Sequence, residues 1–408
     1  VLCLTEVADL MNHQLFEHHL KVAYLAFRLG EALGLSEQSL TNLLLGGLLH
    51  DIGAFSRQER LEALHFEFHN PHHHAWVASV LLQDFTPFAP LAEIIRFHHV
   101  PWEEGQRKTV PFESQVLHFA DRVSIVCPFR EDPLGEIREK ESFLRSYVPR
   151  LFHPEVFEAF QKMLPRDFIW FDLASPRLRN IVSTLISSEK LHLDTEAFFR
   201  FCRIVAHLID FRSAFTATHS SGVAHVARRL GETMGLSPER NDLLLAAGLL
   251  HDLGKLAIPL EILEKPGQLT AKEWHIMKSH AYYTFEALSW IGGLRDVALW
   301  ASEHHERCNG QGYPFGKARE ELPLESRIMA VADVLVALSE DRPYRPRLGP
   351  YRVLEILESM AASESLEADV VTSLSAHFHD IHASCREVQQ RAALEYTTFR
   401  QKVIQFTE

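Results

Sequence analysis

"GLLHDIG" at residues 47–53 returns as "GLLHDLG" at residues 248–254, and this recurrence decides how the chain is organised. Just upstream, "RLGEALGLSEQ" (28–38) returns as "RLGETMGLSPE" (229–239), again 201 residues later. His18 maps onto His219 at that offset. Further on, His74 maps onto His280 and His98-His99 onto His304-His305 with an offset of 206, and Asp121 onto Asp333 with 212. The offset changes in only two places, as loop insertions would change it, so the chain reads as a tandem duplication.

Length agrees with this. At 408 residues the chain is too long for one ordinary core, and two domains are expected, 1–190 and 191–408. The join falls within 175–195, where "ASPRLRN" and "SSEKLHLDTE" supply helix breaks and caps. "LFEHHLKVAYLAFRLGEALG" and "SGVAHVARRLGETMG" space apolar residues by three and four and end in glycine, a helix stop. "ESRIMAVADVLVALSED" (325–341) repeats the pattern, and "TEAFFRFCRIVAHLIDFRSAF" reads as a helix leading into the second half. Alternating strand patterns are hard to find. The expected class is all-α, two tandem helical domains.

Composition excludes several functions. Hydrophobic residues make up 46% and charged residues 23%, a globular balance, and no apolar run approaches the ~18–20 residues of a membrane helix. No secretory signal is expected, although a start at Val1 leaves room upstream for an anchor or sensor. Five scattered cysteines without a CxxC pair fit a reducing cytoplasm and argue against a thiolate zinc site. A net charge of -13 disfavours duplex nucleic acid as a partner. It leaves a small anion possible, because metal ions and a few Arg or Lys make one cleft locally positive.

The duplicated residues carry the chemistry. In the second half they are His219, His251, Asp252, His280, His304, His305 and Asp333. With 25 histidines in the chain, any one of them alone reads as a core or surface residue, and His225 and His275 are left so. The same seven types recurring in the same order twice is what a coordinated cluster requires and unrelated core residues do not. Five imidazoles and two carboxylates exceed the needs of one tetrahedral ion, and N/O donors without thiolate suit Fe, Mn, Ni or Zn. An Asp directly after a His is placed to bridge two ions, which would acidify a shared water for attack on phosphorus.

"HDLGK" (251–255) followed by "HHERCNGQGYP" (304–314) resembles the HD-GYP family, a branch of the HD phosphohydrolases. "EILEKPGQLTAKEWHIMKSH" (261–280) and "IMAVADVLVALSEDRPYR" (328–345) extend the likeness over about residues 200–350. The resemblance implies a metal-dependent phosphodiesterase that opens a bacterial cyclic dinucleotide, cyclic di-GMP or 3',3'-cyclic GMP-AMP, to a linear product. It implies two divalent ions, Fe or Mn before Ni or Zn. One would be held by His219, His251, Asp252 and Asp333, the other by Asp252, His280, His304 and His305. Lys255 resembles the lysine that contacts phosphate and steadies the leaving oxygen, and Arg342 and Arg345 resemble residues that grip the substrate phosphates. Gly310 and Gly312 permit the turn that brings Tyr313 and Pro314 to the pocket wall. Asp252 and Lys255 are therefore the expected catalytic residues, and Lys255, Tyr313, Arg342 and Arg345 the substrate-binding ones. Phe215 stands where some relatives place a third-metal Glu, and Asn309 where Asp is common.

The first half keeps all seven types: His18, His50, Asp51, His74, His98, His99 and Asp121. This is a second candidate metal set. It lacks the lysine, with Ala54 in its place, and has "HHVPWEEGQ" for the GYP loop; Arg130 corresponds to Arg342, and Gln14 to the third-metal position. A regulatory domain or a relic is favoured over a second hydrolase. Two other functions are open for the whole chain: a nucleotidase or dNTP phosphohydrolase, and a non-enzymatic cyclic-dinucleotide receptor. Beyond the dinucleotide, a homodimer or a signalling partner is open.

Overall fold

A computed structural model describes residues 1–2, 17–55, 59, 65–66, 72–106, 109–129, 131–187, 194–213, 216–341 and 345–405. Arg342, Phe215, Gln14 and Arg130 lie outside them. The chain divides into two compact units, Val1–Leu193 with Lys402–Glu408, and Asp194–Gln401. The fold is all-α, with no strand among the described residues. No described helix is long and apolar enough to cross a membrane.

Among helices of eight residues or more, the first unit has α1 (His18–Ala32), α2 (Glu37–Leu49), α3 (His72–Leu82), α4 (Ala89–Arg96), α5 (Phe112–Val126), α6 (Pro133–Arg145), α7 (Pro154–Met163), α8 (Asp167–Ala174) and α9 (Leu178–Ser187). In the second they are α10 (Thr195–Asp210), α11 (His219–Thr233), α12 (Pro238–Leu250), α13 (Ala271–Ser289), α14 (Arg295–Ser302), α15 (Leu324–Ser339), α16 (Pro350–Ala362) and α17 (Ala368–Ile404).

The repeat's punctuation explains the α11–α12 hairpin. α11 stops where Gly235 takes a left-handed φ of 77°, a conformation that glycine adopts without steric cost. Ser237 then caps α12, its side chain accepting from the Arg240 N–H. Gly34 (φ 70°) and Ser36 do the same between α1 and α2. The apolar stripes meet in a core that includes Val223, Val226, Leu230, Leu244, Leu249, Ile328, Val331 and Leu335 in the second unit.

Two glycines in each unit set how closely the helices approach. A Cβ on Gly248 would sit 2.3 Å from the Ala224 Cα, and one on Gly254 would sit 1.9 Å from the His280 carbonyl oxygen. Gly47 and Gly53 occupy the same situations against Ala23 and His74. The His-Asp turn is thereby pressed onto the helix that carries the next histidine.

Gly248 gives a direct test. Alanine favours a helix interior over glycine by about 0.5–1 kcal/mol, but overpacking costs about 1–3 kcal/mol or more, and here the obstructing atom is backbone. Gly248→Ala should therefore lower stability by about 1–3 kcal/mol in denaturant melts; a gain in stability would show that the helices are free to separate.

Candidate metal centre

Each ligand candidate of the second unit sits at a helix end or on a buried helix face. His219 opens α11, His251 caps the C-terminus of α12 with Asp252 next in line, and His280 lies in α13. His304 and His305 follow Glu303, the C-cap of α14, and Asp333 lies within α15. Residues that are dispersed over more than a hundred positions converge. Single donor atoms of His219, His251 and Asp252 all fall within 4.8 Å of one another, as do those of His280, His304 and His305.

Asp252 joins the two groups. Its Oδ2 lies 3.3 Å from His251 Nε2 and 3.8 Å from His219 Nε2, while its Oδ1 lies 3.6 Å from His280 Nε2 and 4.0 Å from His304 Nε2. Asp333 spans similarly, with Oδ1 3.2 Å from His219 Nε2 and Oδ2 3.7 Å from His305 Nδ1.

Hydrogen bonding behind the rings fixes what they present to the centre. His251, His280 and His304 donate from Nδ1 to the carbonyls of Gly248, Met277 and Ala301, at 2.7, 2.6 and 2.6 Å. A carbonyl only accepts, so each Nδ1 carries the proton and, in a neutral ring, each Nε2 carries a lone pair. Yet His280 Nε2 and His304 Nε2 stand 3.3 Å apart, two acceptors facing each other. His251 Nε2 and Asp252 Oδ1 are buried with no hydrogen-bond partner. Buried acceptors left unpaired cost about 1–3 kcal/mol each, and a cation between them removes the cost. The donor set fits divalent metal.

Electrostatics keep the ligands ready. Burial pushes His280 down to about 4 and holds His304 and His305 well below the usual imidazole range, so all three are neutral at physiological pH. Burial acts to raise Asp252 and Asp333, but His251 and Lys255 at Asp252, and the hydrogen bond from His219 at Asp333, outweigh it and hold both well below the usual carboxylate range.

The centre opens on a cavity of about 830 Å³, lined in part by Lys255, His280, His305, Trp274 and Tyr313, within the roughly 300–1,000 Å³ usual for small-molecule sites. Lys255 Nζ is 2.6 Å from Asp252 Oδ2. Tyr313 lies against the His305 ring at 4.7 Å between centroids, and Trp274 meets it edge-on at 5.9 Å. Arg345 is placed elsewhere: its guanidinium donates to the Ala337, Leu338 and Pro346 carbonyls and is not among the residues lining the cavity. His225 bonds Ser384 Oγ, as an ordinary side chain would.

Three residues escaped the sequence reading. Glu340 accepts from His219 Nδ1 at 3.0 Å, which orients that ring. Glu306 accepts from the backbone N–H groups of Phe315, Gly316 and Lys317 at 2.6, 3.1 and 3.1 Å, pinning the loop that carries Tyr313. Arg212 donates to the carbonyls of Lys255 and Ile258, holding the turn that bears the lysine. Glu306 lies inside the quoted "HHERCNGQGYP", but its role depends on where the loop returns.

The first unit reproduces the grouping. Donor atoms of His18, His50 and Asp121 cluster within 4.8 Å, as do those of Asp51, His74, His98 and His99. No cysteine joins a cluster among the described residues.

HD-domain models match residues 15–125 and 203–370. The 3'3'-cGAMP-specific phosphodiesterase 1 of Vibrio cholerae is 30% identical over 383 residues, covering 90% of this chain and 88% of that protein. The cyclic di-GMP phosphodiesterase response regulator RpfG of Xanthomonas campestris is 43% identical over 143 residues, covering 35% of this chain and 38% of that one. A crystal structure of the cyclic GMP-AMP phosphodiesterase V-cGAP3 of V. cholerae, 22% identical, superposes with a TM-score of 0.64 over 93% of this chain and 96% of that one, which shows the shared fold.

Removing the carboxylate behind His219 tests the arrangement. Glu340→Ala should weaken metal binding about 10–100-fold in competition with a chelating dye, and Glu340→Gln, which keeps an oxygen acceptor, should recover part of it. Unchanged affinity in both would mean that His219 needs no orienting partner.

Proposed function

This chain belongs to the HD-GYP family of metal-dependent cyclic-dinucleotide phosphodiesterases, and from that premise we propose that its second unit opens 3',3'-cyclic GMP-AMP on a centre of two divalent ions, iron or manganese. His219, His251, Asp252 and Asp333 hold one ion and Asp252, His280, His304 and His305 the other. The observation that carries the metal assignment is the pair of facing Nε2 acceptors on His280 and His304. The choice of substrate draws support from the cGAMP-specific relative, which aligns along both units, whereas the cyclic di-GMP relative named above aligns over about a third of the chain.

Bound there, the ions supply a nucleophile at neutral pH and positive charge for the phosphoryl oxygens. The protein's own groups do the positioning. Asp252 offers one oxygen to each ligand group, so its carboxylate would serve both ions. Lys255, beside Asp252 and on the cavity wall, meets a non-bridging phosphate oxygen and offsets the charge that grows there as the P–O bond breaks. Tyr313 closes the wall next to His305. Burial and the Asp333 charge push its phenol up, so it keeps its proton. Arg342, by the family likeness, takes the second phosphate.

The assay is a panel of cyclic GMP-AMP, cyclic di-GMP and mononucleotides with metal-loaded full-length protein, which should linearise cyclic GMP-AMP fastest. Asp252→Ala should abolish turnover, and Lys255→Ala should lower kcat by about 10²–10³-fold, the usual loss on removing a transition-state charge donor. Dephosphorylation of mononucleotides outpacing ring opening would refute the proposal.

A further inference from the structure

Catalysis in the second unit leaves the first unit's ligand set without a role, and that set repeats the geometry closely. Asp51 Oδ2 lies 3.4 Å from His50 Nε2 and 4.0 Å from His18 Nε2, while Oδ1 lies 3.1 Å from His74 Nε2. Asp121 Oδ1 lies 3.3 Å from His18 Nε2, and Oδ2 lies 3.8 Å from His99 Nδ1. His50 and His98 donate from Nδ1 to the Gly47 and Ile95 carbonyls at 2.8 and 2.6 Å, which leaves Nε2 as the acceptor. His50 Nε2, His98 Nε2, Asp51 Oδ1 and Asp121 Oδ1 are buried without a hydrogen-bond partner. A set that had lost its metal would be free to re-pair these atoms, and each left unpaired costs about 1–3 kcal/mol.

The formal charge is also kept, by a different residue. In the second unit Lys255 accompanies the carboxylates of Asp252 and Asp333. In the first, Ala54 fills the lysine's place, fully buried, and Arg122 donates to Asp121 Oδ2 from Nη2 at 2.5 Å and Nε at 3.1 Å. Both centres therefore combine two carboxylates with one cation. Access differs. The Lys255 side chain is 15% exposed and lines the cavity. The Arg122 side chain is 2% exposed, and its Nη1 donates to the carbonyls of His65 and Phe66, so at least four of its five N–H donors are committed to protein and the guanidinium is buried away from any phosphate. The His99 ring is 2% exposed where its counterpart His305 is 21%.

We infer that the first unit holds its own divalent-metal centre, closed to substrate, in which Arg122 takes the charge-balancing part of Lys255. Closure is the mark of structural rather than catalytic metal sites, and metal bound there contributes directly to the stability of the unit. Arg122 is a positioning residue: it holds the Asp121 carboxylate with Oδ1 directed at the His18–His50 side.

Elemental analysis of full-length variants tests this apart from catalysis. His251→Ala/Asp252→Ala should lose turnover yet retain about half of the wild-type metal, since each centre binds on its own, and a chelator should lower the melting temperature of that variant. His50→Ala/Asp51→Ala should also retain about half; should it fail to fold, the first variant alone decides. Chelator should strip wild-type protein in a fast phase and a slow one, with Arg122→Ala speeding the slow phase and Arg122→Lys restoring it in part. A metal-free His251→Ala/Asp252→Ala chain would overturn the inference, and so would residual turnover in it or a single stripping phase in the wild type.

Discussion

Two imidazole nitrogens that cannot bond each other are held 3.3 Å apart in the interior of the second unit. Each is fixed by the carbonyl behind it: His280 by Met277 and His304 by Ala301. Left alone, facing lone pairs repel, and the surrounding fold is built to keep them facing. The carbonyls belong to the last turns before each histidine, so ring orientation follows from helix geometry. Gly254 presses the His-Asp turn against the His280 backbone, and Asp252 comes with it, one oxygen toward each histidine group. The remainder of the unit holds these donor groups against one another.

Much of this was legible in the order of residues. The duplication named the fourteen His and Asp positions that converge in the two units, because a set that acts together must be copied whole, whereas a core tolerates substitution by any residue of similar volume. The helical class was legible in the spacing of apolar residues, and the α1–α2 and α11–α12 turns in glycine followed by serine. The carboxylates that support the centre were not. Glu340 reaches His219 across 121 positions, and nothing in the local sequence separates it from an acidic residue on a solvated surface. Arg122 was equally hidden: it follows Asp121 as any helical arginine follows its neighbour, and its meaning depends on Ala54, far away in the chain. Arg345 erred in the other direction. Its motif suggests a phosphate contact, but the terminal carbonyls of α15 lie closer to hand and satisfy its fork of donors.

The loop after His305 shows how a cavity wall is built from modest parts. Glu306 gathers three successive backbone N–H groups, much as an anion would at a turn. Gly312 lets the chain fold back onto Glu306 and Arg307, where a Cβ would sit 2.4 Å from backbone atoms. Tyr313 is thereby delivered onto His305 without a helix or strand to carry it. Lys255 is held from beneath by Arg212, which grips the lysine's own carbonyl.

The rings that bond backward to their own helices have a further consequence. His251, His280 and His304 draw their orientation from main chain three residues upstream, so any donor set rebuilt on this scaffold must keep those three carbonyls in place.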